Sequence, residues 1–293
     1  MQDSGTKKKV ILYICITAFL FSTMEVSLKI GGSNLDSMQL TFLRFFIGGL
    51  VLLPAGIVEA KKNELKMTLK DLGWLLLVGI MGIPISMYAF QVGVSMCNAS
   101  TAAAIICVNS IFTMIIAAIF TEEKMNKNKY IAAVLGIIAT VFMMRPWDVQ
   151  EGNTVTGMLM MLFASITFGA YTVMGRKSIG KIGTFTQTSL SFILGSLVLL
   201  VEILITGGPV LEGIVENWAI VLYTGIVVTG IGYMFYFMAI KLSDATTGSV
   251  TFLIKPVLAP ILAMFVLGED IYWNTIVGIF LLLVASFLVL KSE

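Results

Sequence analysis

Long apolar stretches separated by short polar breaks set the pattern of this chain, and ten of them approach the roughly 20 residues an α-helix needs to cross a bilayer. The pattern predicts spans at about Val10 to Ile30, Ser37 to Val58, Asp71 to Ser95, Ala99 to Thr121, Lys129 to Arg145, Val155 to Lys177, Thr184 to Thr206, Asn217 to Ile240, Asp244 to Leu267 and Tyr272 to Lys291. The basic residues test the number of crossings, because Lys and Arg collect in cytoplasmic loops. With the N-terminus inside, fifteen of the nineteen Lys and Arg, those at span ends included, fall on the inner side and Arg145 alone on the outer, leaving Lys29, Arg44 and Lys255 within the helices. A wrong count would scramble that separation, so the expectation is ten spans with both termini cytoplasmic.

The two halves repeat. A shift of 147 places Phe21 on Phe168, Val26 on Val173, Phe45 on Phe192 and Gly48 on Gly195, and a shift of 146 places Gly79 on Gly225, Ala99 on Ala245 and Glu123 on Glu269. Five spans is an odd number, so the second half must enter the membrane upside down. Inverted repeats around a midplane site are the architecture of secondary transporters. The domain plan is therefore a cytoplasmic tail at 1–9, a first repeat at 10–145, an extracytoplasmic linker at 146–154 and a second repeat at 155–291.

Composition agrees. Of the 293 residues 58% are hydrophobic and 12% are charged, and the mean hydropathy is +0.96. A soluble domain carries about twice that charge, so lipid is the solvent and the cell (cytoplasmic or inner) membrane the location. Lys7, Lys8 and Lys9 before an apolar run could mimic a signal peptide, but the run is long enough to span and no small-residue cleavage site follows it. The three cysteines, Cys15, Cys97 and Cys107, read as small buried hydrophobes. There is no histidine, no zinc-ligand cluster, no Gly-x-Ser-x-Gly elbow and no Walker loop. Metal, cofactor, enzymatic and ATP-driven readings therefore find no support, nor does a nucleic-acid partner, since no basic patch exists.

The segments NASTAAAIICVNSIFTMIIAAIFTEEKMN and SDATTGSVTFLIKPVLAPILAMFVLGEDIYW resemble the paired EamA modules of the drug/metabolite transporter superfamily. In those modules a small-residue helix ends in an acidic residue, here Glu123 and Glu269, ahead of a helix with a glycine, here Gly136 and Gly278. The resemblance covers nearly the whole chain. It implies an all-α membrane fold of ten helices in two inverted five-helix repeats. It also implies carriage of a small-molecule solute across the lipid bilayer. The modules differ at one point: Asn109-Ser110 stands where the second has Lys255-Pro256.

A charge in one half alone has no symmetry reason to exist, and a buried ionisable residue in a membrane is a functional hypothesis. Lys255 leads, near the middle of its span and about 16 Å from either end at the helical rise. Pro256 beside it leaves backbone carbonyls free. It is expected to face the interior unpaired. Arg44 and Glu25 lie at similar depths, about 10 and 7.5 Å below the outer helix ends, and are expected to meet as a gate or a clasp. Lys29 stands one turn from Glu25 at the favourable i,i+4 spacing. One acid against three bases predicts a substrate with a carboxylate or phosphate, with protons as a candidate coupling ion. Asn109, Gln91, Tyr88, Tyr171 and Tyr233 are the uncharged candidates for the site, followed by Gln187, Tyr236 and Thr251. The leading expectation is a proton-coupled or exchange carrier of a small polar metabolite, for example an amino acid. The alternative is an exporter of amphipathic or toxic compounds, which Glu25 permits but Lys255 and Arg44 oppose for a cationic drug. Substrate identity, transport direction and oligomeric state leave no mark on the sequence.

Overall fold

A computed structural model of the chain describes residues 4–121, 125–242 and 251–290. Helices α1 (Lys8–Gly32), α2 (Ser37–Lys62), α3 (Leu69–Ser95), α4 (Ala99–Phe120), α5 (Lys127–Met144), α6 (Val155–Ile182), α7 (Thr184–Thr206) and α8 (Trp218–Ala239) are each long and apolar enough to cross a membrane. Two shorter apolar helices, α9 (Thr251–Leu267) and α10 (Trp273–Leu290), complete the order. The sequence places the start of the ninth span at Asp244 and an acidic helix end at Glu123; both positions lie outside the described residues. No strand occurs among the described residues. That is what lipid demands, because a helix satisfies its backbone internally.

The bundle is sorted in the opposite sense to a soluble protein. Outward positions carry bare apolar side chains, among them Phe120, Leu204, Ile205, Phe265 and Phe280. The buried set includes Thr17, Glu25, Arg44, Gln91 and Lys255. Cys97 and Cys107 are buried as expected, but Cys15 is exposed, a correction to the reading of all three as core; all three are free thiols. A thiol on an outward face of an apolar helix meets lipid at little cost.

Local chemistry fixes four of the helix starts. Asp36 accepts from the Met38 and Gln39 amides at the start of α2, Thr68 and Asp71 form a capping box at α3, Asn126 caps α5 and Thr154 caps α6. Helices α4 and α7 have no such local side-chain cap, and distant carboxylates do the work. Glu269 Oε1 accepts from Ala99 N (2.7 Å), and its Oε2 from Ser100 N (3.0 Å) and Ser100 Oγ (2.9 Å). Glu59 Oε2 accepts from Phe185 N (2.7 Å) and Thr186 N (3.1 Å). Orphan amides at a helix start favour an anion, so each carboxylate ties two helices far apart in sequence.

The contacts come in matched sets. α2 packs on α8 as α3 packs on α7, α1 on α8 as α3 on α6, and α1 on α9 as α4 on α6, while α2–α7 and α5–α10 are each paired across the halves. Glycines make the closest approaches. A Cβ at Gly195 would run into the Gly79 carbonyl, and one at Gly48 would meet Thr229 and approach the Gly225 carbonyl. Four spans are interrupted. α1 breaks at Thr23 and α4 at Cys107 and Val108, while α3 and α8 contain π-helical stretches at Met81–Met87 and Tyr223–Ile231. Such wide turns concentrate at functional sites.

Candidate functional site

The interruptions surround a small internal cavity. About 30 Å³ of space, enough for a water molecule or two, is bounded by Asn109, Tyr233 and Lys255 together with the rings of Phe21, Phe90 and Phe168. Asn109 is the first residue of the second segment of α4, and the break before it turns a polar side chain to the centre. Tyr233 is the second residue of the last segment of α8, just after the π-helical stretch, and stands edge-on to Phe192 with centroids 5.2 Å apart. Lys255 enters from α9, which remains helical through Pro256 and Pro260.

Lys255 is not unpaired. Its Nζ lies 2.7 Å from Glu25 Oε1, with 4% and 0% of the two side chains exposed. This corrects two expectations, because Glu25 takes neither Arg44 nor Lys29 as its partner. Lys29 reaches away and donates to the Cys97 carbonyl in the turn between α3 and α4. The break at Thr23 leaves Glu25 and Lys29 on a separate nine-residue segment, whose orientation the spacing along a continuous helix does not describe.

Arg44 is the residue left over. It is 1% exposed, and its Nε, Nη1 and Nη2 have no hydrogen-bond acceptor among the described residues. Its guanidinium carbon lies 4.5 Å from the Phe45 centroid and 5.8 Å from that of the cavity-lining Phe90. Glu25 and Tyr233 are the ionisable groups within its electrostatic reach. A guanidinium has five N–H donors in a planar fork suited to a carboxylate or phosphate. Aromatic faces satisfy its charge in part and its donors not at all. Glu25 Oε2 likewise has no partner among the described residues.

The remaining candidates divide. Tyr171 is buried on α6, against Gly82 and Phe168 beside the cavity. Gln91 is buried and donates to the Leu28 carbonyl at 3.3 Å, so it ties α3 to α1. Tyr88 is half-buried, with Asp36 and Glu202 as its nearest charges, and does not line the cavity. Gln187 accepts from Ser178 Oγ at 3.0 Å and is a packing contact. Sequence reading missed Phe21, Phe90 and Phe168 because an aromatic ring in an apolar span carries no signal of its own. The match of Phe21 to Phe168 across the repeat was the available clue. It also missed Glu59 as the cap of α7, since nothing in the local sequence links them.

Comparison with known proteins bears on what this arrangement serves. The sequence model of the EamA-like transporter family matches twice, at residues 8–145 and 155–291. An uncharacterised transporter of Clostridium kluyveri is 35% identical, the alignment covering 98% of this chain and 94% of the relative. An S-adenosylmethionine uptake transporter of Rickettsia bellii is 25% identical over 93% of this chain and 90% of its own. One solved crystal structure superposes with a TM-score of 0.67 at 17% identity, covering 96% of both chains, a likeness of fold alone.

Proposed function

The chain belongs to the EamA-like transporter family and is a multi-pass protein of the cell membrane, and from that premise we propose that it is a secondary active carrier of a small polar metabolite bearing a carboxylate or phosphate, such as an amino acid. Arg44 carries this reading. A buried guanidinium without an acceptor among the described residues is costly in a low-dielectric interior. A solute anion would supply the missing acceptor with charge-assisted bonds.

The cavity of about 30 Å³ is an order of magnitude below what holds a drug-sized ligand. A solute therefore enters only when helices move apart, as alternating access requires. The moving parts are the two halves, residues 10–145 and 155–291, inverted about the membrane plane across ten spans with both termini cytoplasmic. The matched helix contacts, the reciprocal approaches of Gly79 to Gly195 and Gly48 to Gly225 and the double family match support that division. Protons or a second solute drive the cycle.

S-Adenosylmethionine, the solute named for the Rickettsia relative, carries a carboxylate next to an ammonium and belongs to the same chemical class. The second reading, export of amphipathic or toxic compounds, draws on the aromatic walls, but the acid a cationic drug needs is already held by Lys255. Uptake into proteoliposomes from a metabolite mixture tests the first reading. Saturable uptake of a carboxylate or phosphate compound is expected, falling about ten-fold or more in Arg44→Ala, the worth of a hydrogen bond to a charged group. Unchanged transport in both Arg44→Ala and Lys255→Ala removes this site.

A further inference from the structure

Among the described residues three charges are buried, Glu25, Arg44 and Lys255, and of these only Lys255 lines the cavity. Lys255 lines the cavity, while Glu25 lies behind it with Oε1 against the ammonium at 2.7 Å. The cation that Glu25 holds at the cavity is therefore Lys255 itself. The cavity is walled by Phe21, Phe90, Phe168 and Tyr233, and aromatic rings attract ammonium and sulfonium groups. Without the lysine, a buried carboxylate at the end of an aromatic chamber is a receptor for organic cations.

We propose that Lys255 is a tethered occupant of a cation subsite formed by Glu25, and that it thereby sets the charge selectivity of the carrier. A plain organic amine that took Glu25 would leave the Lys255 ammonium buried and unpaired, which the low-dielectric interior resists. A zwitterion has no such difficulty. Its ammonium takes Glu25, whose Oε2 has no hydrogen-bond partner among the described residues, while its carboxylate accepts from Arg44 and the released Lys255. The carrier then accepts amino-acid-like zwitterions and refuses the corresponding amines. The inference rests on the reading of this cavity as the substrate site, but it concerns what is excluded.

Matched pairs of ligands that differ only by the carboxylate test it: L-tyrosine and tyramine, L-histidine and histamine, L-leucine and isoamylamine. Each is titrated into the purified full chain by isothermal calorimetry. In the unsubstituted protein the amines are expected to bind at least about ten-fold more weakly than their amino acids, the scale of one charge-assisted bond. In Lys255→Met the amines gain about ten-fold or more, and in the double variant Glu25→Gln/Lys255→Met that gain disappears. An amine that gains nothing in Lys255→Met, or gains equally in the double variant, overturns the proposal. If the unsubstituted protein binds none of the amino acids, the carboxylate reading fails, while the amine gain in Lys255→Met still decides the role of the lysine. Lys255→Gln, similar in length and a donor, answers the same question if the methionine variant does not insert. If neither single variant folds, the pair is a structural clasp and the proposal falls.

Discussion

Two lysine–carboxylate pairs of nearly equal length hold this molecule together in different ways. Lys255 and Glu25 meet at 2.7 Å in the core, with 4% and 0% of their side chains exposed, whereas Lys181 and Asp71 meet at 2.6 Å at the ends of α6 and α3, with 55% and 14% exposed. Geometry alone would rank them equal. Surroundings do not, because an exposed pair is screened and exchanges its bonds with water, while a buried pair has only its partner to offset desolvation. The outer pair fastens two helix ends. The inner one holds a charge in place at the proposed solute site, and Arg44 has no hydrogen-bond acceptor among the described residues.

Breaking the inner pair on one side should produce the largest effect. Lys255→Met is expected to lower stability by about 3–5 kcal/mol, the usual cost of stranding a buried charge, measured by unfolding in detergent. Glu25→Gln/Lys255→Met should recover most of that loss, because no lone charge remains. A double variant no better than the single one would mean that lysine packing, not charge, matters at this position.

Close helix contact comes next. Gly195→Ala and Gly48→Ala, matched positions of the two halves, should each cost about 1–3 kcal/mol through overpacking. Gly195→Ala should cost more, since its new methyl meets the Gly79 backbone whereas that of Gly48→Ala meets the Thr229 side chain. Equal and negligible costs in thermal unfolding would show that these contacts are looser than the distances imply.

The remote caps should matter less. Glu269→Gln keeps one acceptor oxygen for the start of α4 but loses the charge, and is expected to cost about 1 kcal/mol, as cap substitutions do. The outer pair should matter least: Lys181→Met is expected to leave both the unfolding midpoint and solute binding unchanged within error, and a measurable loss of either would erase the contrast between the two pairs.

Depth along the chain was legible in the sequence, and direction was not. Apolar run length placed the helices, and the scarcity of charge within them singled out Lys255, Arg44 and Glu25. What spacing could not supply was which of the three meet. Glu25 and Arg44 were matched because they lie at similar depth on uninterrupted helices, but α1 breaks at Thr23, and neither a break nor a tilt shows in a hydropathy pattern. A lysine side chain spans several ångströms, enough to join residues whose Cα atoms differ in depth. Asn109 and Tyr233 line the cavity because α4 breaks and α8 widens immediately before them. Asn109 was recognisable from the sequence as a polar residue facing Lys255 in the repeat alignment. The cap of Glu59 on Phe185 and Thr186 joins residues whose proximity only the packed bundle creates.

Arg44 as the receiver of a solute anion is the centre of the proposed transport mechanism. Titration of the carboxylate solute found by proteoliposome uptake into detergent-purified unsubstituted, Arg44→Gln and Lys181→Met proteins tests this without the complications of flux. Arg44→Gln should bind at least about ten-fold more weakly, in line with the loss of a charge-assisted bond, while Lys181→Met binds as the unsubstituted protein does. Equal affinity in Arg44→Gln and the unsubstituted protein would show that the solute anion binds elsewhere.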